Sequence, residues 1–234
     1  MVTSRPAAGG GRWVEVDPAR LPRWLEGFRA RHGELRVQAR DGLLVLAGAD
    51  GAVAELHPPP GAGGAPAVGV AVGTPGGRLD EAAVLAGFVA QAQAPRRLGL
   101  LLARQGAAAI GVAEGDRLIK SKVDSWYVQG RTAAGGQSQQ RFARRRGNQA
   151  AAAAGKAADL AYRLLLPAVP ELAAVVTGGD RRTVETILSD PRLAPLAARR
   201  AERHLAVPTP NLAVLRQAVP AARAVAIHLP PHVF

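Results

Sequence analysis

The chain has 234 residues, 48% hydrophobic and 21% charged, which suffices for a packed core and excludes wholesale disorder. A formal net charge of +12 points to a polyanionic partner, while an aromatic content of 4% argues against stacking single-stranded bases on exposed rings. Zero cysteines exclude disulfides, thiolate zinc sites, iron–sulfur clusters and a cysteine nucleophile. The periodicity then predicts a helix over Pro18–Arg31, with Leu21, Trp24, Leu25 and Phe28 at helical spacing. Short strands follow at Glu34–Gln38, Leu43–Ala47 and Val53–His57, and Asp41-Gly42 and Asp50-Gly51 between them signal tight turns of an antiparallel meander. His57–Pro66 is read as a Pro/Gly linker, Val68–Val72 as a strand-sized apolar run and Asp80–Gln93 as a helix.

The second half has another rhythm. Leu98–Arg104, Ala107–Glu114 and Arg117–Val128 are strand candidates joined by tight turns, followed by a glycine-rich loop at Gly130–Gly136. A long helix is expected from Ser138 to Leu166, with an apolar stripe at Ala153, Ala157, Leu160 and Leu164. Leu172–Val176 reads as a strand, Arg181–Leu188 and Leu193–Arg203 as helices, His204–Val207 as extended, Asn211–Ala218 as a helix and Ala222–His228 as a closing strand. Hairpin strands followed by alternating helices and strands predict an α/β layered domain within an α+β chain. The expected division is 1–66, helix plus meander ending in the linker; 67–97, a connecting strand and helix; and 98–234, the main domain.

Charge is unevenly placed. Residues 1–97 carry a net +2, whereas Ser125–Ala158 holds six cations and no acid: Arg131, Arg141, Arg144, Arg145, Arg146 and Lys156. A helix that is merely solvated mixes signs, so this segment reads as an anion-binding surface. Arginines in the first turns of a helix, beside its free N–H groups, suit phosphate.

Enzyme motifs are few. No G-x-x-x-x-G-K-[ST] occurs, and Gly73–Gly77 reads as a turn; Gly136-Gln137-Ser138-Gln139-Gln140 lacks the closing glycine of G-x-S-x-G, so Ser138 is read as a helix N-cap. The five histidines are scattered, and no metal or cofactor is expected. Glu114, Asp116 and Asp124, near Lys120 and Lys122, are assigned turn or surface roles, and Trp13 and Trp24 packing roles. No apolar run or leader suggests a membrane or secretory segment, so a soluble cytoplasmic protein is expected.

What remains is GRTAAGGQSQQRFARRRGNQ, a small-residue, carboxamide-rich loop running into the arginine helix. Gly135-Gly136-Gln137, in this context of strand, glycine loop, arginine helix and α/β alternation, resembles the catalytic middle domain of eukaryotic and archaeal peptide-chain release factors, from about Leu98 to Phe234. More narrowly, YVQGRTAAGGQSQQRFARRRGNQAAAAAGKA resembles the Vms-type branch, the ankyrin-repeat and zinc-finger ribosome-rescue proteins, in a compact actinobacterial form. The resemblance implies a mixed-sheet, ribonuclease H-like fold. It also implies a peptidyl-tRNA hydrolase that frees nascent chains from stalled large ribosomal subunits, with ribosomal RNA and peptidyl-tRNA as partners and neither DNA nor membrane.

Two registers of the implied Gly-x-x-Gln loop compete. The literal Gly135-Gly136-Gln137 makes Gln137 the catalytic carboxamide, and Gly136-Gln137-Ser138-Gln139 makes it Gln139. The branch pattern places the glutamine about seven or eight residues before an Arg-Gly step, which favours Gln139, eight before Gly147. Arg131, Arg141, Arg144, Arg145, Arg146 and Lys156 are the implied RNA-binding set. A non-catalytic RNA-binding module and a tRNA 3′-end endonuclease are the alternative readings. The zinc-finger, ankyrin and unfoldase-binding segments of the larger relatives are not visible, nor is a stop-codon-reading segment, so codon-dependent termination is not expected.

Overall fold

The computed structural model describes residues 2–64, 81–104, 106–126 and 138–231, and only the backbone of 2, 3, 138–143, 145 and 146. The expected strand-sized run Val68–Val72, the glycine turn Gly73–Gly77, the loop Gly130–Gly136 and His232 lie outside them. The chain divides into two units, Met1–Pro95 with Arg223–Phe234, and Arg96–Ala222.

The first unit is built on strand alternation. Its strands β1 (Val2–Pro6), β2 (Arg12–Val16), β3 (Leu35–Arg40), β4 (Leu43–Gly48) and β5 (Val53–His57) join the last strand of the chain, Val225–Leu229, here β11. They form one antiparallel sheet in the order β1-β2-β11-β5-β4-β3. Alternate residues such as Val14, Val16, Leu44, Leu46, Leu56 and Ile227 turn to one face. There they bury against Leu21, Leu25 and Phe28 of helix α1 (Leu21–His32) and Phe88 and Ala92 of α2 (Glu81–Gln93). Each large apolar side chain so buried contributes about 1.5–3 kcal/mol. The Asp41-Gly42 turn forms as its residues predict: both adopt positive φ, 51° and 77°, between the paired Arg40 and Leu43.

Three expectations change in this unit. The main domain does not run from 98 to 234, because β11 leaves it to fill the gap between β2 and β5, pairing Val14 with Ile227 and Leu56 with Ile227. Residues 81–93 are not a connector, since Phe88 and Ala92 close the first core. The linker's described part, to Gly64, is held to α2 by Gln91 Nε2, which donates to the carbonyls of Ala62 and, at 2.9 Å, Gly64. Strands β1 and β2 were not predicted. They turn at Gly11 (φ 76°), where an added Cβ would lie 2.2 Å from the Leu229 carbonyl oxygen.

The second unit is a three-layer α/β/α sandwich. Strands β6 (Arg97–Arg104), β7 (Ala107–Glu114), β8 (Arg117–Ser125), β9 (Leu172–Gly179) and β10 (Arg200–Leu205) align as β10-β9-β6-β7-β8. The sheet is mixed: β9 runs parallel to β6 and β10, while β6, β7 and β8 are antiparallel. Leu101, Ala103, Ala108 and Ile110 face helices α3 (Ser138–Leu165) and α4 (Arg181–Leu188). Leu98, Leu100, Leu102 and Ala109 face α6 (Leu212–Arg223). The fold class is therefore mixed α/β in this unit and α+β over the chain.

One predicted helix fails here. Leu193–Arg203 divides into a short helix α5 (Ala194–Ala197) and strand β10. Tertiary partners override the helical propensity of Arg200–Leu205. Arg200 pairs with Glu185 at 2.7 Å, and Arg203 donates to the Ala221 carbonyl at 3.0 Å. His204 sits between the Thr177 hydroxyl and the Gly179 carbonyl, each at 3.0 Å. A carbonyl only accepts, so in the neutral ring Nε2 carries the proton and Nδ1 accepts from Thr177, the buried polar residue of this core. The closing helix also outlasts its expected end at Ala218: Val219 and Ala222, on either side of Pro220, are buried, and α6 runs to Arg223.

Candidate functional site

The site is organised by α3, 28 residues or about 42 Å long, which begins just after the carboxamide loop. Its sequence alternates small and long residues at helical spacing. Ala153, Ala154, Ala157, Ala158, Leu160, Ala161 and Leu165 are buried, and Arg144, Gly147, Asn148, Lys156 and Arg163 are exposed. Of the expected stripe, Ala153, Ala157 and Leu160 are buried and Leu164 packs half-buried on the same core. The alanines let the helix lie close on β7, which fixes the axis along which the cations are displayed.

Gly135, Gly136, Gln137 and Arg131 lie outside the described residues. The backbone of Gln139, Arg141, Arg145 and Arg146 lies in the first turns of α3, Arg144 is exposed one turn beyond Gln140, and Lys156 is exposed further along. Ser138, expected as the N-cap, is the first helical residue.

Trp126 was missed from sequence and bears on this site. It is the last described residue before the loop, and its N–H donates to the Gly106 carbonyl at 2.6 Å. Its ring packs on the α3 core and shares a small cavity with Ala150, Ala153, Ala154 and Ala157. Trp126 is thus tied to the sheet and packed on α3. A tryptophan just after a strand was the available signal.

Among the described residues, no acid pairs with Arg144, Lys156 or Arg163 of α3. Asp159 is the one acid in the helix, and Arg192 takes it at 2.8 Å, in a cluster where Arg192 also pairs with Asp190 at 2.6 Å and lies over the Tyr162 ring. Hydrogen bonds to Arg192 hold the Asp190 carboxyl below the usual carboxylate range, and those to Asp190 and Asp159 raise the guanidinium further. Glu114 is likewise engaged, by Arg97 at 3.3 Å, Asp116 is exposed in the β7–β8 turn, and Asp124 accepts from the Ser125 N–H at 2.9 Å. These three acids are spread over surface and turn positions. Among the described residues, no group of three or more His, Asp or Glu could hold a metal ion. Nor is any described helix long and apolar enough to cross a membrane.

Comparison with family models gives the class of this chain, a release factor. Residues 96–228, more than half of the chain, match the model described as "Actinobacteria/chloroflexi VLRF1 release factor", and the chain belongs to that family. The matched span reaches into β11 as far as His228, a strand that pairs within the first unit.

No curated protein matches the chain. Among solved structures, the archaeal translation termination factor aRF1 aligns at 18% identity and a TM-score of 0.38, over 54% of this chain and 34% of that one. A structure described only as an archaeal protein aligns at 19% and 0.36, over 60% and 38%. Dom34 of S. cerevisiae, described as a translation termination-like factor, aligns at 8% and 0.30, over 94% and 67%. The chain thus spans little more than a third of the two archaeal structures it matches.

Proposed function

We propose that this protein is a peptidyl-tRNA hydrolase that frees nascent chains from stalled large ribosomal subunits, a cytoplasmic member of the Vms-type branch. The observation that carries the reading is the family match laid over an acid-free, arginine-rich start of α3. Arg141, Arg144, Arg145 and Arg146, with Arg131 before the helix and Lys156 further along it, grip phosphates of ribosomal RNA or of the tRNA acceptor end. Gly135 and Gly136 let the loop backbone approach the ester closely. Gln139, in preference to Gln137, positions a water against the ester carbonyl. Water adds to that carbon, loop N–H groups stabilise the oxyanion, and collapse expels the tRNA 3′ oxygen, which takes up a proton.

The test is release of labelled peptide from complexes of peptidyl-tRNA with the large subunit. Gln139→Ala is expected to slow release by about 100- to 1,000-fold, the loss seen when one oxyanion or positioning donor is removed, with Gln137→Ala several-fold milder. Release unchanged in both variants and in the double variant overturns the glutamine mechanism. Analysis of the tRNA product distinguishes ester hydrolysis, which leaves an intact 3′ end, from cleavage within the tRNA by a ribose 2′-hydroxyl.

A further inference from the structure

At the far end of α3 from the loop lies a groove of about 1000 Å³. Edge strand β8 forms one wall and the last turns of α3 the other, with Leu160 and Leu164 among the residues beneath. Four cations line it, Arg97, Lys120, Lys122 and Arg163, against one carboxylate, Glu171. Arg97 engages both Glu171 and Glu114, so this acid is already answered at the groove's end. Among the described residues no acid pairs with Lys120, Lys122 or Arg163, and Asp159, within a helical turn of Arg163, is taken by Arg192. Lys120 and Lys122 stand opposite Val112 and Ile110, on the sheet face that carries α3. Being two apart on a strand they project about 6.8 Å from one another, a spacing that suits adjacent phosphates of one strand.

We infer that this groove binds the sugar–phosphate backbone of RNA, at a second site remote from the loop. The inference rests on the ribosome-directed reading above and adds a contact that reading does not contain. Arg163 lies 24 residues beyond Gln139 in the same helix, about 36 Å away, so RNA in the groove flanks the reacting ester rather than carrying it. The lining side chains Lys120, Lys122, Arg163 and Glu171 are all exposed. That suits a solvated polyanion; a small-molecule site would show buried, convergent polar groups. Lysines on a free sheet edge also discourage strand pairing, but that role is indifferent to the sign of the charge, whereas phosphate binding is not.

Sign reversal therefore separates the two roles. The full chain and its Lys120→Glu/Lys122→Glu/Arg163→Glu variant are sedimented with purified bacterial large ribosomal subunits between roughly 50 and 200 mM salt. The variant is expected to bind at least about tenfold more weakly, with the slope of log affinity against log salt reduced by about 2 to 3. The triple Gln variant, which removes charge without reversing it, is expected to show a smaller loss in the same direction, and an unchanged thermal melt shows that folding is intact. Affinity and slope equal to the unaltered protein's in both variants overturn the inference, as does unaltered protein that does not bind the subunits. Binding weakened about tenfold or more by Ile119→Ser, with the salt slope unchanged and both charge variants binding normally, assigns the groove to an apolar protein segment and also overturns it. Because binding is read without release, a protein that binds through the groove yet frees no peptide removes only the hydrolase reading. One that frees peptide while ignoring the reversals removes only the groove.

Discussion

The two units answer differently to the same solvent. The first is an antiparallel sheet with one buried face, and its residues, 1–95 with 223–234, carry ten arginines against nine acids, a net charge of only +1. Among its described residues, His32 at the end of α1 meets Asp50 of the β4–β5 turn at 2.8 Å and lowers that carboxyl, and His228 meets Glu55 across β11 and β5 at 2.9 Å. The second buries both faces of a mixed sheet and spends its acids on particular arginines, Arg192, Arg97 and Arg200, leaving Arg144, Lys156 and Arg163 without a counter-ion among the described residues. The contrast locates the excess charge in the second unit, where 20 lysines and arginines face 9 acids and several of those acids are already held by Arg97, Arg192 and Arg200. A cation without a partner carries no desolvation of its own and is free for phosphate.

The sharpest way to break the comparison is to shorten the chain before β11. Ending it at Ala224 removes Val225 and Ile227 from the first core and leaves β2 and β5 as unpaired edges. Limited proteolysis is then expected to digest residues 1–95 while the second unit's core, whose clusters contain no residue beyond Ala222, stays protected. Protection of both regions would show that β11 is dispensable to the first unit.

Next in size is reversal of charge in matched sets. Arg141→Glu/Arg144→Glu/Arg145→Glu is expected to weaken binding to large ribosomal subunits by about 100-fold or more at moderate salt. The same change at exposed Arg23, Arg29 and Arg31 of α1 should alter it by less than about threefold. Equal losses from the two sets would mean that net charge, and not its placement, governs binding.

The smallest effect sharpens the picture of α4. Asp180 caps this helix, accepting from the N–H and the hydroxyl of Thr183, both at 2.7 Å, and those bonds lower its pKa below 3.8. A depressed folded pKa means stability that is present above the unfolded value and lost as pH falls through the folded one. Asp180→Ala should therefore cost about 1 kcal/mol at pH 7, in denaturant melts, and progressively less once the pH drops below about 4. A cost independent of pH would assign the effect to packing instead.

Legibility followed distance along the chain. The Asp41-Gly42 turn, strand Ala107–Glu114 and helix Arg181–Leu188 were readable because their determinants lie within a few residues of one another. Strand β2 was not, since Arg12–Val16 acquires its meaning from β11, more than two hundred residues later. Arg200–Arg203 was misread as helix because the groups that hold β10 extended, Glu185, Ala221, Thr177 and Gly179, come from three other elements. Within the site, the acid-free run and the register of α3 were visible in the residues. The anchoring of Trp126 and the meeting of Lys120 and Lys122 with Arg163 were not.

The sequence by itself determined that α3 is amphipathic, that half of the +12 charge precedes and enters it, and that its one acid is Asp159. Those properties are periodic or compositional and need no knowledge of what lies alongside. Only the tertiary structure decided that Asp159 is claimed by Arg192, that β11 belongs to the first sheet, and that an edge strand and a helix end combine into one basic groove. Pairing of strands and charges across long separations depends on which surfaces the folded cores bring together, and no local pattern encodes that.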